Sequence, residues 1–74
     1  METTSSILVF KTNIQSTADI DSIKPILDTH PHIERWHVDT QDIDCILRIV
    51  TYSLTESDVI DLLTPSGYNC TELE

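Results

Sequence analysis

The apolar residues of this chain change between the spacing of a strand and the spacing of a helix, and this order leaves few possible folds. Residues 7–12 are rich in β-branched and aromatic types, which predicts a first strand. Residues 17–29 place apolar side chains at helical intervals, with Pro25 expected to bend the helix. Two alternating runs over 33–39 and 44–51, joined by a short polar turn, predict a hairpin.

The last third of the chain predicts one more helix and one more strand. Thr55 is a typical helix N-cap with Asp58 three positions later, and Pro65 and Gly67 end that helix. Residues 68–72 are long enough for a last strand. The order βαββαβ predicts an α+β, ferredoxin-like sandwich, in which both helices cover one face of a four-stranded antiparallel sheet.

The length and the net charge of the chain limit the classes of function that it can have. The chain has 74 residues, so residues 1–74 are expected to form a single small domain. Four basic residues face thirteen acidic ones, a formal charge of -9, which argues against binding nucleic acid or an anionic membrane surface. No run of eighteen apolar residues and no basic leader segment is present, so a cytoplasmic location is expected.

The two cysteines give no sign of an enzyme or a metal site. Cys45 and Cys70 lie 25 positions apart and no CxxC pair exists, so small buried thiols are expected rather than a disulfide or a shared metal. Neither has a basic neighbour in sequence, apart from Arg48 on the opposite face of its strand. The single glycine rules out a GxGxxG loop. We therefore expect no catalysis and no cofactor.

A series of short segments follows the order and near spacing of a known family. The segments are Phe10-Lys11-Thr12-Asn13-Ile14, Ile23, Pro25-Ile26-Leu27, Trp36-His37-Val38-Asp39, Leu47-Arg48-Ile49, Leu54-Thr55-Glu56, Val59-Ile60 and Gly67-Tyr68. Together they span residues 8–72, and this set resembles the heavy-metal-associated domain family of small copper-chaperone-like domains. The resemblance implies the ferredoxin-like fold, and in the family two cysteines after the first strand hold the metal.

The resemblance puts the two metal positions of the family at Ser16 and Asp19. Cuprous ion needs soft thiolates, whereas a hydroxyl and a carboxylate are hard oxygen donors. The same residues form a capping-box start for the first helix. We therefore predict that the metal ligands are absent. A hard cation, or a basic group of a partner, at Ser16 and Asp19 is the alternative.

Three histidines offer a second route to metal binding. His30 and His32 flank Pro31 in the loop after the first helix, but two ligands do not close a zinc or copper site. Exposed loop histidines are the simpler interpretation. The alternative function is residual metal binding or metal carriage that uses His30, His32 or Cys70 in a geometry foreign to the family.

Strand alternation segregates charge to the sheet face opposite the helices. Three of the four basic residues fall there with β-branched neighbours, in a chain of net charge -9. Apolar patches mixed with charge often mark interaction sites. The sequence therefore predicts a non-catalytic interaction module that binds an acidic protein, or a second copy, through this face. The predicted contact residues are Val9, Lys11, Arg35, His37, Ile46 and Arg48.

Overall fold

The computed structural model describes residues 5–73 and has the predicted order of elements. They are β1 (Ser6–Thr12), α1 (Thr17–Asp28), β2 (Ile33–Asp39), β3 (Ile46–Thr51), α2 (Glu56–Leu63), a 3-10 turn (Thr64–Ser66) and β4 (Cys70–Glu72). The strands form one sheet in the order β2-β3-β1-β4, and every neighbouring pair is antiparallel. The predicted ferredoxin-like sandwich is confirmed. None of the helices described has the length and apolar content needed to cross a membrane.

The core lies between the sheet and the two helices. Phe10 pairs with Leu47 and Leu8 pairs with Ile49 across β1 and β3, so alternate residues of both strands face the helices. The side chains that fill this layer with them are Ile14, Ile23, Leu27, Val38, Val59 and Leu63. Each such burial stabilises the fold by about 1.5–3 kcal/mol, which matters in so short a chain.

Both helices begin with a capping box. The Thr55 hydroxyl accepts a hydrogen bond from the Asp58 amide at 3.3 Å, and the Asp58 carboxylate accepts one from the Thr55 amide at 2.9 Å. This backbone hydrogen bond from Thr55 lowers the pKa of Asp58. α1 starts in the same way at Ser16 and continues through Pro25. The predicted helix starts are confirmed.

The turn between β2 and β3 is longer than the sequence predicts. Cys45 has a φ of 48°, in the left-handed region, and its amide donates to the Asp42 carbonyl at 3.0 Å. The turn therefore lasts until Cys45, and β3 begins at Ile46 rather than at residue 44. The carbonyl of Cys45 accepts a hydrogen bond from the Thr12 hydroxyl at 2.7 Å, which fixes the turn against β1.

Candidate functional site on the open sheet face and in the loop before α1

We use the name open face for the side of the sheet that neither helix covers. His37 lies directly opposite Arg48 in the β2–β3 register, and Arg48 lies opposite Val9 in the β1–β3 register. Directly opposite residues share a face, so these three side chains form one row across the sheet. The next row consists of Arg35, Val50 and Ile7.

The centre of the open face is a shallow apolar depression with basic walls. It has a volume of about 200 Å³, and its lining includes Ile7, Arg35, His37, Arg48 and Val50. Ile7, the second residue of β1, is 64% exposed and gives the depression apolar surface that a partner can reach. The lining of the depression is almost wholly apolar, so the basic residues border it with the carbon stems of their side chains.

Few carboxylates neutralise the open face. Lys11 lies 3.6 Å from Asp44, and over residues 5–73 this is the one ion pair within 4.0 Å. Arg35 and Arg48 consequently have no carboxylate partner at that distance among the same residues. Both guanidinium groups are available to an external anion, and their fork geometry suits a carboxylate.

One of the predicted contact residues is buried. Ile46 lies on the side predicted, opposite Asp39, but it is only 4% exposed. Asp39 of β2 lies beside it, and on its other side β1 continues past the Phe10–Leu47 pair, so both neighbouring strands cover Ile46. Ile46 therefore supports the sheet and offers no surface to a partner.

The loop before α1 is held closed by its own hydrogen bonds. The Ser16 hydroxyl accepts from the Asp19 amide at 3.2 Å. Asp19 Oδ2 accepts from the amides of Gln15 at 3.1 Å and Ser16 at 3.3 Å. This is the predicted capping box, and both oxygen-bearing side chains are used in it.

A tyrosine from the far end of the chain completes this loop. The Tyr68 hydroxyl donates to Asp19 Oδ1 at 3.1 Å, and beside it the Asn69 amide donates to the Asn13 side chain at 3.0 Å. The Gln15 amide, followed by smaller effects of Tyr68 and Ser16, lowers the pKa of Asp19. The sequence did not predict this contact of Tyr68. The Gly67-Tyr68 segment belongs to the family resemblance, but no local spacing links Tyr68 to Asp19.

The donor set of the loop does not fit cuprous ion. Ser16 and Asp19 supply oxygen rather than thiolate, and both Asp19 oxygens already accept hydrogen bonds. Both cysteines are free thiols outside this loop, and burial raises the pKa of Cys70 to about 11. A thiol with that pKa is a poor ligand at neutral pH, because the metal binds the thiolate.

The two cysteines are separated by a strand. Thr12 of β1 pairs with Cys70 of β4 on one side and hydrogen-bonds to the Cys45 carbonyl on the other. The two cysteines thus lie on opposite sides of β1. Twice the spacing between neighbouring strands is about 9–10 Å, beyond the reach of a disulfide. The two thiols therefore act separately.

The loop histidines do not form a metal centre with other residues. The rings of His30 and His32 lie 5.7 Å apart, and His30 Nδ1 accepts a hydrogen bond from the His32 amide at 3.1 Å. One of the two His30 nitrogens is thus used within the loop. Between residues 5 and 73, no group of three or more His, Cys, Asp or Glu side chains is gathered as metal ligands would be.

Among the solved structures with the same fold are a heavy-metal-associated (HMA) domain, MerP and a putative copper-ion-binding protein. The chain matches the apo HMA domain of the copper chaperone for superoxide dismutase with a TM-score of 0.80 and 18% identity, covering 96% of this chain and 69% of that one. It matches oxidized MerP from Ralstonia metallidurans CH34 with a TM-score of 0.78 and 7% identity, covering 96% and 100%. A putative copper-ion-binding protein from Bacillus anthracis str. Ames gives 0.77 and 12%, covering 95% and 100%.

These structural matches confirm the predicted resemblance to the heavy-metal-associated domain family at the level of the fold. No family model and no curated protein matches the sequence. The chain has the HMA-like fold, with cysteines present only as single residues away from the loop before α1.

Proposed function

We propose that this chain is a non-catalytic binding module whose open face engages an acidic segment of another protein. The observation that carries the proposal is the depression of about 200 Å³ where Arg35, His37 and Arg48 surround Ile7 and Val50. Its occupant is a segment with both carboxylates and apolar side chains. A cytoplasmic location stays a prediction from the sequence.

Charge complementarity selects the partner. Thirteen acidic residues against four basic ones make the chain repel anions at long range. The basic residues of the open face can therefore attract an anion only at short range. A nucleic acid or an anionic membrane would feel the whole charge of -9 over many contacts. A short acidic segment touches only the open face, where each carboxylate can take two hydrogen bonds from one guanidinium.

A second copy bound face to face is a poorer occupant. A two-fold axis through the open face would place Arg35 and Arg48 near the same residues of the other copy. Like charges in a desolvated contact cost several kcal/mol. The open face is therefore assigned to a different protein.

Residual metal binding is the second candidate function, and the HMA-like fold is what favours it. Its ligands would be His30 and His32, because the donors at Ser16 and Asp19 are oxygens engaged in the capping box. Two imidazoles leave a zinc or copper ion with open positions. Titration with Zn²⁺ followed by amide shifts at residues 30–32 separates this function from the binding of an acidic segment.

A charge reversal with a matched control tests the proposed function. The probe is a fluorescein-labelled twelve-residue peptide of alternating Glu and Leu, measured by fluorescence polarisation at 0.15 M NaCl. Arg48→Glu should weaken binding about tenfold or more, because a guanidinium at the centre of the face becomes a carboxylate. Lys24→Glu makes the same change in net charge on α1 and should alter binding by no more than about twofold.

Amide shift mapping gives the second readout of the same experiment. The peptide should shift amides of β1, β2 and β3 around Val9, His37 and Arg48, and leave α2 unchanged. Equal losses in the Arg48→Glu and Lys24→Glu variants, or shifts centred on a helix, would refute the proposed function.

A further inference from the structure

We propose that the chain forms a two-fold dimer in which β2 pairs antiparallel with β2 of a second copy, centred on His37. The sheet order β2-β3-β1-β4 leaves β2 and β4 as the two edges. β4 has three residues and β2 has seven, so β2 is the edge with enough backbone to pair. Such pairing would join two four-stranded sheets into one of eight strands.

Only part of β2 is regular enough to pair. The register between β2 and β3 shifts between Ile33 and Arg35, which marks a bulge at Glu34. From Arg35 to Asp39 each residue has a single partner on β3 without a further shift. A bulge blocks edge pairing at the beginning of the strand, so a second copy has residues 35–39 available.

In one antiparallel register, the side chains of residues 35–39 complement those of the same segment in the second copy. A two-fold axis at His37 puts Arg35 opposite Asp39 of the second copy, and by symmetry Asp39 opposite its Arg35. The same register puts Trp36 opposite Val38 twice, where Val38 is only 7% exposed and offers little contact, and His37 opposite itself. Cross-strand pairs of opposite charge and of an aromatic with a β-branched residue are the favourable ones.

Neighbouring registers lack this complementarity. An axis at Trp36 puts Arg35 opposite His37 and Glu34 opposite Val38. An axis at Val38 shortens the paired segment to 37–39, in which His37 faces Asp39. An axis between two residues would put the helices of the two copies on opposite sides of the joined sheet. The register centred on His37 is the one that matches charge and face together.

A groove of mixed polar and apolar lining lies beside β2, and Trp36 is its apolar contact for the dimer. A depression of about 490 Å³ runs between α1 and β2, and its lining includes Ile20, Lys24, Trp36 and Val38. Trp36 is half-buried against the core, and its indole nitrogen donates to Asp28 at 2.7 Å. The indole ring is thereby fixed at the strand edge, where the second copy would cover it.

The dimer shares Arg35 and His37 with the proposed site but depends on different contacts. It uses the backbone edge of β2, whereas the acidic segment binds across the open face around Arg48. Arg48→Glu leaves every residue of 35–39 unchanged and should leave the dimer intact. Asp39→Arg in turn keeps Arg35, His37 and Arg48, so loss of the dimer with peptide binding intact is distinguishable from the opposite result.

Sedimentation of the full chain and two charge variants tests the dimer. The wild type at 0.15 M NaCl should pass from monomer to dimer between roughly 0.01 and 1 mM, as expected of a small interface. Arg35→Asp and Asp39→Arg each put like charges opposite one another twice, so each should weaken the dimer about tenfold or more. An equimolar mixture of these two variants restores both opposite-charge pairs and should form a heterodimer.

The mixture makes the test specific for the register. Amide spectra of each variant first establish that the fold is kept, because Asp39 Oδ1 also accepts a hydrogen bond from the Gln41 amide at 3.1 Å in the turn after β2. A heterodimer in the mixture, with each variant alone monomeric, supports the pairing centred on His37. A wild type that stays monomeric at about 1 mM, or variants that do not recombine, would overturn the proposal.

Discussion

The Tyr68 hydroxyl donates a hydrogen bond to Asp19 Oδ1 at 3.1 Å, and so joins the segment before β4 to the start of α1. The two residues are 49 positions apart in the chain. Their contact lies in the loop where the resembled family carries its metal cysteines. In this chain the loop is a hydrogen-bonded cap, and its oxygen donors are used internally.

The first prediction concerns this contact. Tyr68→Phe removes the hydroxyl and keeps the ring, so the pKa of Asp19 should rise toward its ordinary value, because one of the bonds that favour the carboxylate is lost. The pKa is measured from the carboxyl carbon shift of Asp19 against pH. The Asp58 carboxylate in the other capping box is the internal control and should not change.

The urea midpoint gives the second readout for the same residue. Tyr68→Phe and Asp19→Asn should each lower it, and the double variant should lose less than the sum, because both remove one interaction. An unchanged Asp19 pKa together with fully additive losses would contradict the contact.

The second prediction concerns acid stability. The pKa values of Asp19 and Asp58 are lowered in the folded state from an ordinary 3.8, so the native state binds fewer protons than the unfolded chain. The stability from these groups is present above the ordinary pKa and is lost as pH falls through the lowered values. Asp19→Asn with Asp58→Asn should be less stable than wild type at pH 6 and approach it near pH 2.

Matched charge removal controls for the net charge. Protonating other carboxylates relieves repulsion in a chain of charge -9, so the wild-type curve alone is ambiguous. Asp21→Asn with Asp61→Asn removes the same charge from exposed helix positions. A parallel pH dependence in the two double variants would contradict the role of the caps.

The third prediction concerns Thr51, which is fully buried. Its hydroxyl donates to the His32 carbonyl at 2.5 Å and accepts from the Leu54 amide at 3.3 Å. Thr51→Val should cost about 1–3 kcal/mol in the free energy of unfolding, because buried partners lose their hydrogen bonds. The measurement is urea denaturation.

Thr51→Ser is the control, since it keeps the hydroxyl. Hydrogen exchange at the Leu54 amide should quicken in the valine variant and stay near wild type in the serine variant. Equal exchange in both variants would mean that the hydroxyl does not hold this corner.

Local patterns in the sequence were sufficient to predict most of the fold. The capping boxes at Ser16 and Thr55 depend on residues three positions apart, and strand alternation correctly divided Phe10 from Val9. These features repeat over a few residues and leave a periodic signal.

Features that depend on distant contacts were not predictable. The partner of Asp19 is Tyr68, and no local spacing points from one to the other. The burial of Ile46 depends on side chains of two neighbouring strands, and the start of β3 depends on the left-handed backbone of Cys45. Sequence reasoning assigned the face of Ile46 but not its exposure.

The central claim is that the loop before α1 does not hold cuprous ion. Its most direct test is a cuprous ion titration under anaerobic, reducing conditions against a chromophoric chelator, with amide shifts recorded. The wild type should leave the chelator its copper and show no shifts at residues 14–20. The variant carrying Ser16→Cys and Asp19→Cys should take one equivalent there, because it supplies the paired thiolates. A wild type that withdraws one equivalent of copper into residues 14–20 would contradict the account.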